Sequence, residues 1–463
     1  MPAKQTARRI AAATTAAAAA MVSAQALTPA YAADRDTSGW TETNMAFQNN
    51  SWAARITAVD DLRTVRLNSS RIDCTRSAGR LSRNDLAETL GGDIANSLED
   101  FGVNLSGLSG TNVTYKENGR TGSRATNLIG DISIAPPLPD GLEGSAGKIV
   151  LTNVKTVADA YRDASGFHAD TDISWGDLEL ELPSAPGLEP LTEPAQDLVD
   201  LLTQTVNDTV IKQVVDLLKA TPVPIEIPGL ASFDLGWERQ REKKNFAMAG
   251  AYGLLIKVAD NGETNGPKIE LGRAYARTDG RARSGVINGY AAALDSTGVI
   301  DRYGTAKVPC VGTDGKVRTQ RFRGLDIPGL ATVGAGTNTY MGKQTRKGGL
   351  VAWAKSETKF IEVPALDLRI QDIVGRAFVR QRAGRIVDTD IIGSTVGNLT
   401  IGNRRYSLPE PGEAMEIPGG AILRTLVRIP NGRGLKVASA VLDMPDGGPS
   451  LKFGVATVIV KRR

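Results

Sequence analysis

Over most of this chain, short runs alternate apolar and polar residues, the period of a half-buried β-strand. Trp52–Leu67, Val113–Tyr115, Lys148–Thr156, Trp175–Leu182, Tyr252–Val258 and Leu350–Lys355 all read this way, with the β-branched and aromatic content that strands favour. In the tail, Ile391–Val460, Asn403 and Gly432 sit in turn clusters between such runs. Two stretches change period. In Asp85–Phe101, Leu86, Leu90, Ile94 and Leu98 recur at fours and predict a short helix. Between Pro194 and Pro222, apolar residues from Leu198 to Leu218 recur at threes and fours. They predict one long amphipathic helix over 195–220. Its polar face carries Asp197, Asp200, Asp208 and Asp216 against Lys212 and Lys219. That is the wrong charge for a membrane-surface helix, so the helix is expected to pack on a sheet.

Two motifs repeat. GRAYARTDGR (Gly272–Arg281) returns as GRAFVRQRAGR (Gly375–Arg385), and a looser copy stands at Asp159–Phe167. Each reads as strand, tight turn, strand, with Gly280 or Gly384 supplying a positive φ at the turn. IEIPGLA (Ile225–Ala231) matches LDIPGLA (Leu325–Ala331). The spacing is 100 residues for the second motif and 103 for the first, which points to a duplicated β unit. The expected fold is mainly β, with tandem related antiparallel units, sandwich-like, and the long helix packed on them. The expected segments are a signal peptide (1–32), an N-terminal β-rich region (33–130) and an acidic β region with the long helix (131–224). Repeat units follow at 225–324 and 325–463, the second including the strand-rich tail.

Residues 1–32 stand outside that fold. Basic Lys4, Arg8 and Arg9 precede an Ala-rich run, Ile10–Val22, and a small-residue site, Ala30-Tyr31-Ala32. This is the pattern of a secretory signal peptide cleaved after Ala32. The run is too short and Ala-rich for an anchor, so no transmembrane segment is expected after its removal. The expected location is extracellular or at the cell envelope. Cys74 and Cys310 are the only cysteines. In an exported chain they are expected to form one disulfide, with two buried thiols as the alternative. Charge is split along the mature chain. Ala33–Trp237 holds 16 Lys+Arg against 30 Asp+Glu, a net of −14, and Glu238–Arg463 holds 36 against 21, a net of +15. The halves either attract each other or present a basic face to an acidic partner.

Motifs for chemistry are scarce. His168 is the single histidine, and no nucleophile elbow accompanies it. GTNTYMGK (Gly336–Lys343) resembles a phosphate loop but has one residue too many, and Gln344 stands where Ser or Thr is needed. Asp170, Asp172, Ser174 and Glu181 have calcium-loop spacing, but Trp175 takes the glycine position. A solvated strand face is the alternative to a weak calcium site there. No metal or cofactor is expected, no nucleic-acid motif is present, and the expectation is a non-catalytic protein. Alternatives are an envelope polysaccharide hydrolase, whose carboxylate pair would meet only in three dimensions, and a carrier of apolar ligands such as lipid. For contact with acidic envelope polymer the candidates are Arg273, Arg277 and Arg281 in one repeat and Arg376, Arg380 and Arg385 in the next. A guanidinium grips phosphate or carboxylate with two bonds, and alternate strand residues share a face. The alternative is that these arginines neutralise the acidic half internally.

One further pattern runs through the second half: AYGL (Ala251–Leu254), VGNLTIG (Val396–Gly402), EIPG (Glu416–Gly419), TLV (Thr425–Val427), GLKVASAV (Gly434–Val441) and FGVA (Phe453–Ala456). In this order the segments resemble the conserved portion of the actinobacterial secreted proteins called choice-of-anchor P. The resemblance implies an extracellular or envelope β-rich protein, with no catalytic residues to carry over. Anchored members have an apolar tail, whereas this sequence closes on Lys461-Arg462-Arg463. Leu408-Pro-Glu-Pro-Gly412 is similar to a sorting pentapeptide, but with Glu-Pro at its centre and no apolar span after it. It is expected to be a turn.

Overall fold

The computed structural model describes residues 39–57, 64–86, 102–135, 148–174, 176, 178–181, 225–227, 231–235, 238–258, 268–296, 302–327, 329–345, 348–431, 433–445 and 447–461. These form 31 strands and one 3-10 turn, Pro364–Leu366, so the protein is mainly β. The strands make four sheets, and every pairing between named strands is antiparallel. The first sheet has Phe246–Val258, Lys268–Asp279 and Thr41–Thr57 side by side, with Ser70–Ala78 on the last of these. The second is built on Leu108–Glu117, Arg120–Ile134 and Lys148–Arg162. The third runs Val286–Ser296, Ser450–Lys461, Gly434–Asp443, Ala421–Asn431. The fourth runs Arg318–Phe322, Gly336–Gln344, Leu350–Val363, Leu368–Arg382. Strands from the segments 225–324 and 33–130 lie side by side in the first sheet, meeting where Lys268–Asp279 pairs with Thr41–Thr57, so the acidic and basic halves of the chain share it.

The first sheet packs on the second, and the third on the fourth. The first pair meets through alanine, with Ala125, Ala158 and Ala160 facing Ala249, Ala274 and Ala276. Small side chains let the sheets approach closely. The second pair has a larger core of Ile, Leu and Val around Phe453. In both, the glycine of the Gly-Arg-Ala motif sits at a close approach of the two sheets. A Cβ on Gly272 would lie 2.9 Å from Thr156 Oγ1, and one on Gly375 only 1.7 Å from the Gly454 carbonyl oxygen. Glycine is the one residue whose backbone comes that near a facing sheet. The two pairs meet at a small cluster of Ala46, Cys74, Ala282, Val286 and Cys310. Cys74 and Cys310 are bonded there, with Cα atoms 5.4 Å apart.

The Pro-Gly-Leu segments adopt one register. Ile225 pairs with Phe233 and Ile227 with Ala231, and Leu325 pairs with Val333 and Ile327 with Ala331. In each, the short hairpin leads to a long strand that also carries a second edge neighbour and then the Gly-Arg-Ala strand. Ala251 faces Ala274 in one, and Ala354 faces Ala377 in the other.

Three expectations need correction. GRAYARTDGR is not a hairpin. Its strand ends at Asp279 and the chain crosses to the third sheet at Val286, because Ala282 and Val286 are buried in the junction cluster. Arg281, not Gly280, takes the positive φ, 68°. GRAFVRQRAGR does turn back, with Ala383 and Gly384 both at positive φ between the paired Arg382 and Arg385. Secondly, no helix begins at Asp85. Asp85 and Leu86 end a strand paired with Ser109 and Leu108, since cross-strand partners override local spacing; 87–101 lie outside the described residues. Thirdly, the long helix expected over 195–220 also lies outside them, and the described residues contain no α-helix, so the described layers are sheet against sheet. The signal peptide, 1–32, is likewise outside.

Candidate functional site

Of the six candidate arginines, Arg273, Arg277, Arg376 and Arg380 fall on the outer faces of their sheets, because the intervening Ala274, Ala276, Ala377 and Val379 face inward. Arg273 and Arg277 flank Tyr275, and Arg376 and Arg380 flank Phe378, so each pair does share a face. Most are already engaged. Arg277 donates two hydrogen bonds to Asp279, at 2.7 and 2.8 Å, and lies 4.7 Å over the Phe246 ring. Burial works against the Arg277 charge, but Asp279 more than offsets it and its pKa is raised. Arg376 donates to Asp390 at 3.3 Å and Arg380 to Asp388 at 2.8 Å. Arg273 stacks 4.2 Å over Trp52. Arg281 and Arg385 are exposed. The structure therefore engages four of the six within the fold, through ion pairs and cation–π contacts, and leaves two open to solvent.

His168 lies just past a tight turn. Ser165 Oγ is 2.8 Å from its Nε2, a contact of the kind that joins nucleophile and base in hydrolases. Here the same hydroxyl donates to Asp163 Oδ1 at 2.7 Å. The Ser165 and Gly166 N–H groups donate to that oxygen as well. This is an aspartate-centred turn. The Ser165 hydrogen bond, helped by those N–H groups and the His168 charge, holds the Asp163 pKa down to about 2. Asp170, Asp172 and Ser174 share the exposed face of one strand, and Trp175 lies outside the described residues. No cluster of three or more metal-ligating side chains occurs among the described residues. Gly336–Lys343 is part of a paired strand, not a phosphate loop.

The strongest concentration of charge is one the motifs did not reveal. Arg302–Arg323 contains six Lys and Arg and one acid, Asp314. It forms three short strands, Arg302–Tyr303, Ala306–Val308 and Arg318–Phe322. The last is an edge strand, exposed from Arg318 to Arg321. Lys316, Arg318, Arg321 and Arg323 are exposed and have no acidic partner among the described residues. The signal in the sequence was the local Lys+Arg density, which is diluted when charge is counted by halves. Basic side chains also keep an edge strand from pairing with another chain, so exposure alone does not fix their role.

The other end of this segment enters a cleft of about 330 Å³ between the two sheet pairs. One wall carries Gln48, Arg71 and Asp73, and the other Asn288, Tyr290, Arg302, Lys307, Lys436 and Thr457. Gln48 Oε1 lies 3.8 Å from Cys310 Sγ, so the disulfide stands beside the cleft. Behind the second wall, Asp295 accepts hydrogen bonds from Lys436 at 2.9 Å and from the Tyr290 hydroxyl at 3.0 Å, with Arg302 Nε 3.8 Å away. Arg71 and Asp73 approach to 3.8 Å. Nearby, Lys461 has a lowered pKa, first from burial and then from Arg80, Arg433 and Arg71, against the opposing pull of Asp73. No protein-family model matches the chain, and a search of curated proteins finds no match.

Proposed function

We propose that this is a secreted, non-catalytic cell-envelope protein that holds acidic envelope polymer along the basic stretch Arg302–Arg323. The observation that carries this reading is the exposed edge strand with its unpaired Lys316, Arg318, Arg321 and Arg323. Guanidinium groups exposed along this edge can each grip a phosphate or carboxylate with two bonds. The arginines of the two Gly-Arg-Ala motifs play a supporting structural part, since their charge is mostly used within the sheets. Export rests on the pattern of residues 1–32 and fits the Cys74–Cys310 bond. The choice-of-anchor P resemblance adds an envelope setting. The matching registers of the two Pro-Gly-Leu hairpins support two related, sandwich-like β units. Among the described residues no helix is long and apolar enough to cross a membrane; the attachment we propose is electrostatic.

Salt tests the reading. Screening shortens the reach of exposed charge from about 10 Å at ~0.1 M to about 3 Å at ~1 M salt. Intact producing cells are washed with rising salt. The wild-type protein should leave the cells progressively across that range. A chain carrying Arg318→Glu, Arg321→Glu and Arg323→Glu should already be in the medium at low salt, although glutamates protect a strand edge as well as arginines do. Wild-type protein that is wholly in the medium at low salt, or unmoved by ~1 M salt, would sink the proposal.

A further inference from the structure

We infer that the acidic polymer is a polysaccharide, whose sugar rings lie on a row of apolar side chains crossing the outer face of the fourth sheet. This rests on polymer binding along the edge strand and adds the chemistry of what is bound. The first ground is register. Met341 pairs with Trp353, and Trp353 with Phe378. All three are partly exposed, while Ala352, Ala354, Ala377 and Val379 beside them face inward and are buried. On the edge strand Arg318 pairs with Tyr340. The same register carries Val317, 59% exposed, level with Met341. Neighbouring strands lie about 4.8 Å apart, so a row across four of them is about 14 Å long, more than one sugar ring. Contiguous apolar side chains on a solvent-facing surface mark an interaction site, whereas single ones need no explanation.

The second ground is charge. Val317 stands between Lys316 and Arg318, so the apolar row runs directly into the cations of the edge strand. Arg321, paired with Thr337, and the exposed Lys343 border the row on the same face. Neither has an acidic partner among the described residues. Lys355, Arg376 and Arg380 also flank the row, but Glu357, Asp390 and Asp388 hold them, so their charge adds little. The free positive charge at the edge end of the row selects an anion. The third ground decides which kind of anion. The face of an aromatic ring is electron-rich. It attracts the polarised C–H bonds of a sugar ring and has nothing to offer a bare phosphate chain. The Arg376 guanidinium lies 5.9 Å from the centre of the Trp353 ring and 5.6 Å from that of Phe378, so its plane rests on neither. Thr319 and Thr339, paired beside the row, add hydroxyls. An acidic polymer of saturated rings meets both demands, and a polyphosphate meets only the charge.

Biolayer interferometry on the full secreted chain, disulfide intact, compares polygalacturonate with polyphosphate at equal charge and one salt concentration. The wild type should bind polygalacturonate about tenfold or more tightly than polyphosphate. Trp353→Ala and Phe378→Ala should each lower that affinity about tenfold and leave polyphosphate unchanged. Trp353→Phe, which keeps a ring, should recover most of the loss, and circular dichroism confirms that each variant is folded. Equal wild-type affinity for the two polymers overturns the inference, and so do ring variants that bind polygalacturonate like wild type. If the Arg318→Glu, Arg321→Glu, Arg323→Glu chain then loses both polymers, the edge reading survives alone. If the ring variants lose polygalacturonate and that chain does not, the row is supported and the edge reading falls. A wild type that binds neither polymer sinks both. Sedimentation tests the remaining occupant: a wild-type dimer that Trp353→Ala dissociates would assign the row to a second copy of this chain and overturn the inference.

Discussion

At the scale of single residues, two glycines separate the demands of space and of backbone conformation. A Cβ on Gly375 would sit 1.7 Å from a carbonyl oxygen of the facing sheet, whereas Gly119, with φ at 73°, has nothing within 4 Å. Gly375→Ala should therefore destabilise by about 3 kcal/mol or more, since the two sheets must part. Gly119→Ala should cost only about 1–2 kcal/mol, the penalty of a left-handed alanine. Urea midpoints measured on both variants decide this, and equal shifts would refute the close-approach argument. Asp163 gives a pH prediction. Its folded pKa of about 2 is depressed below the ordinary ~3.9 of an unfolded aspartate. A depressed carboxyl contributes stability above the unfolded value, and that contribution fades as pH falls through about 2. Carbon-detected titration of the Asp163 carboxyl should show this midpoint, and Ser165→Ala should move it upward. Gly-Arg-Ala could be found by eye at this scale. Why its glycine recurs could not, because the reason is a carbonyl 79 positions away on another sheet.

Elements were legible where period and partner agree. Several alternating runs lie in strands longer than read: Tyr252–Val258 is the end of Phe246–Val258, and Leu350–Lys355 the start of Leu350–Val363. Trp52–Leu67 is instead shared between Thr41–Thr57 and Thr64–Leu67. The two copies of the Arg motif diverged because a local pattern cannot show where the next strand finds its partner. In the second copy Ala383 and Gly384 hold φ of 49° and 77°, a two-residue turn whose preferred first residue is asparagine. Ala383→Asn should stabilise the protein by about 0.5–1 kcal/mol, read as a higher urea midpoint with unchanged slope. A fall in that midpoint would show that the turn is not the type described. The basic edge strand escaped notice at this scale for the opposite reason. Arg318–Phe322 has almost no apolar alternation to mark it, because nearly all of it is exposed.

For the whole molecule, the Cys74–Cys310 bond ties the strand Ser70–Ala78 of one sheet pair to the turn after Ala306–Val308 in the other, across 236 residues. A loop that long places its stabilisation near the upper end, about 4–5 kcal/mol in the chain-entropy view. The joint it clamps is otherwise a small cluster. Calorimetry of the Cys74→Ser, Cys310→Ser chain should therefore show lower stability and two separated transitions, one for each sheet pair. A single transition at the wild-type temperature would mean the joint holds without the bond. The pairing of these cysteines was readable from their number and the export-like pattern of residues 1–32, but the cleft beside them was not, since its walls come from strands more than 200 residues apart. The same wide separations set the order in which the protein can form. Ala46 lies beside Asp279, and Val286 beside Lys461, so each sheet pair joins strands made early to strands made late. With so many distant contacts, folding is slow. A nascent chain emerging from its N-terminus carries open strand edges until Lys268–Asp279 arrives, and a second set until the very last strand does. Such edges invite pairing between chains, so holdase chaperones have a long interval in which to act.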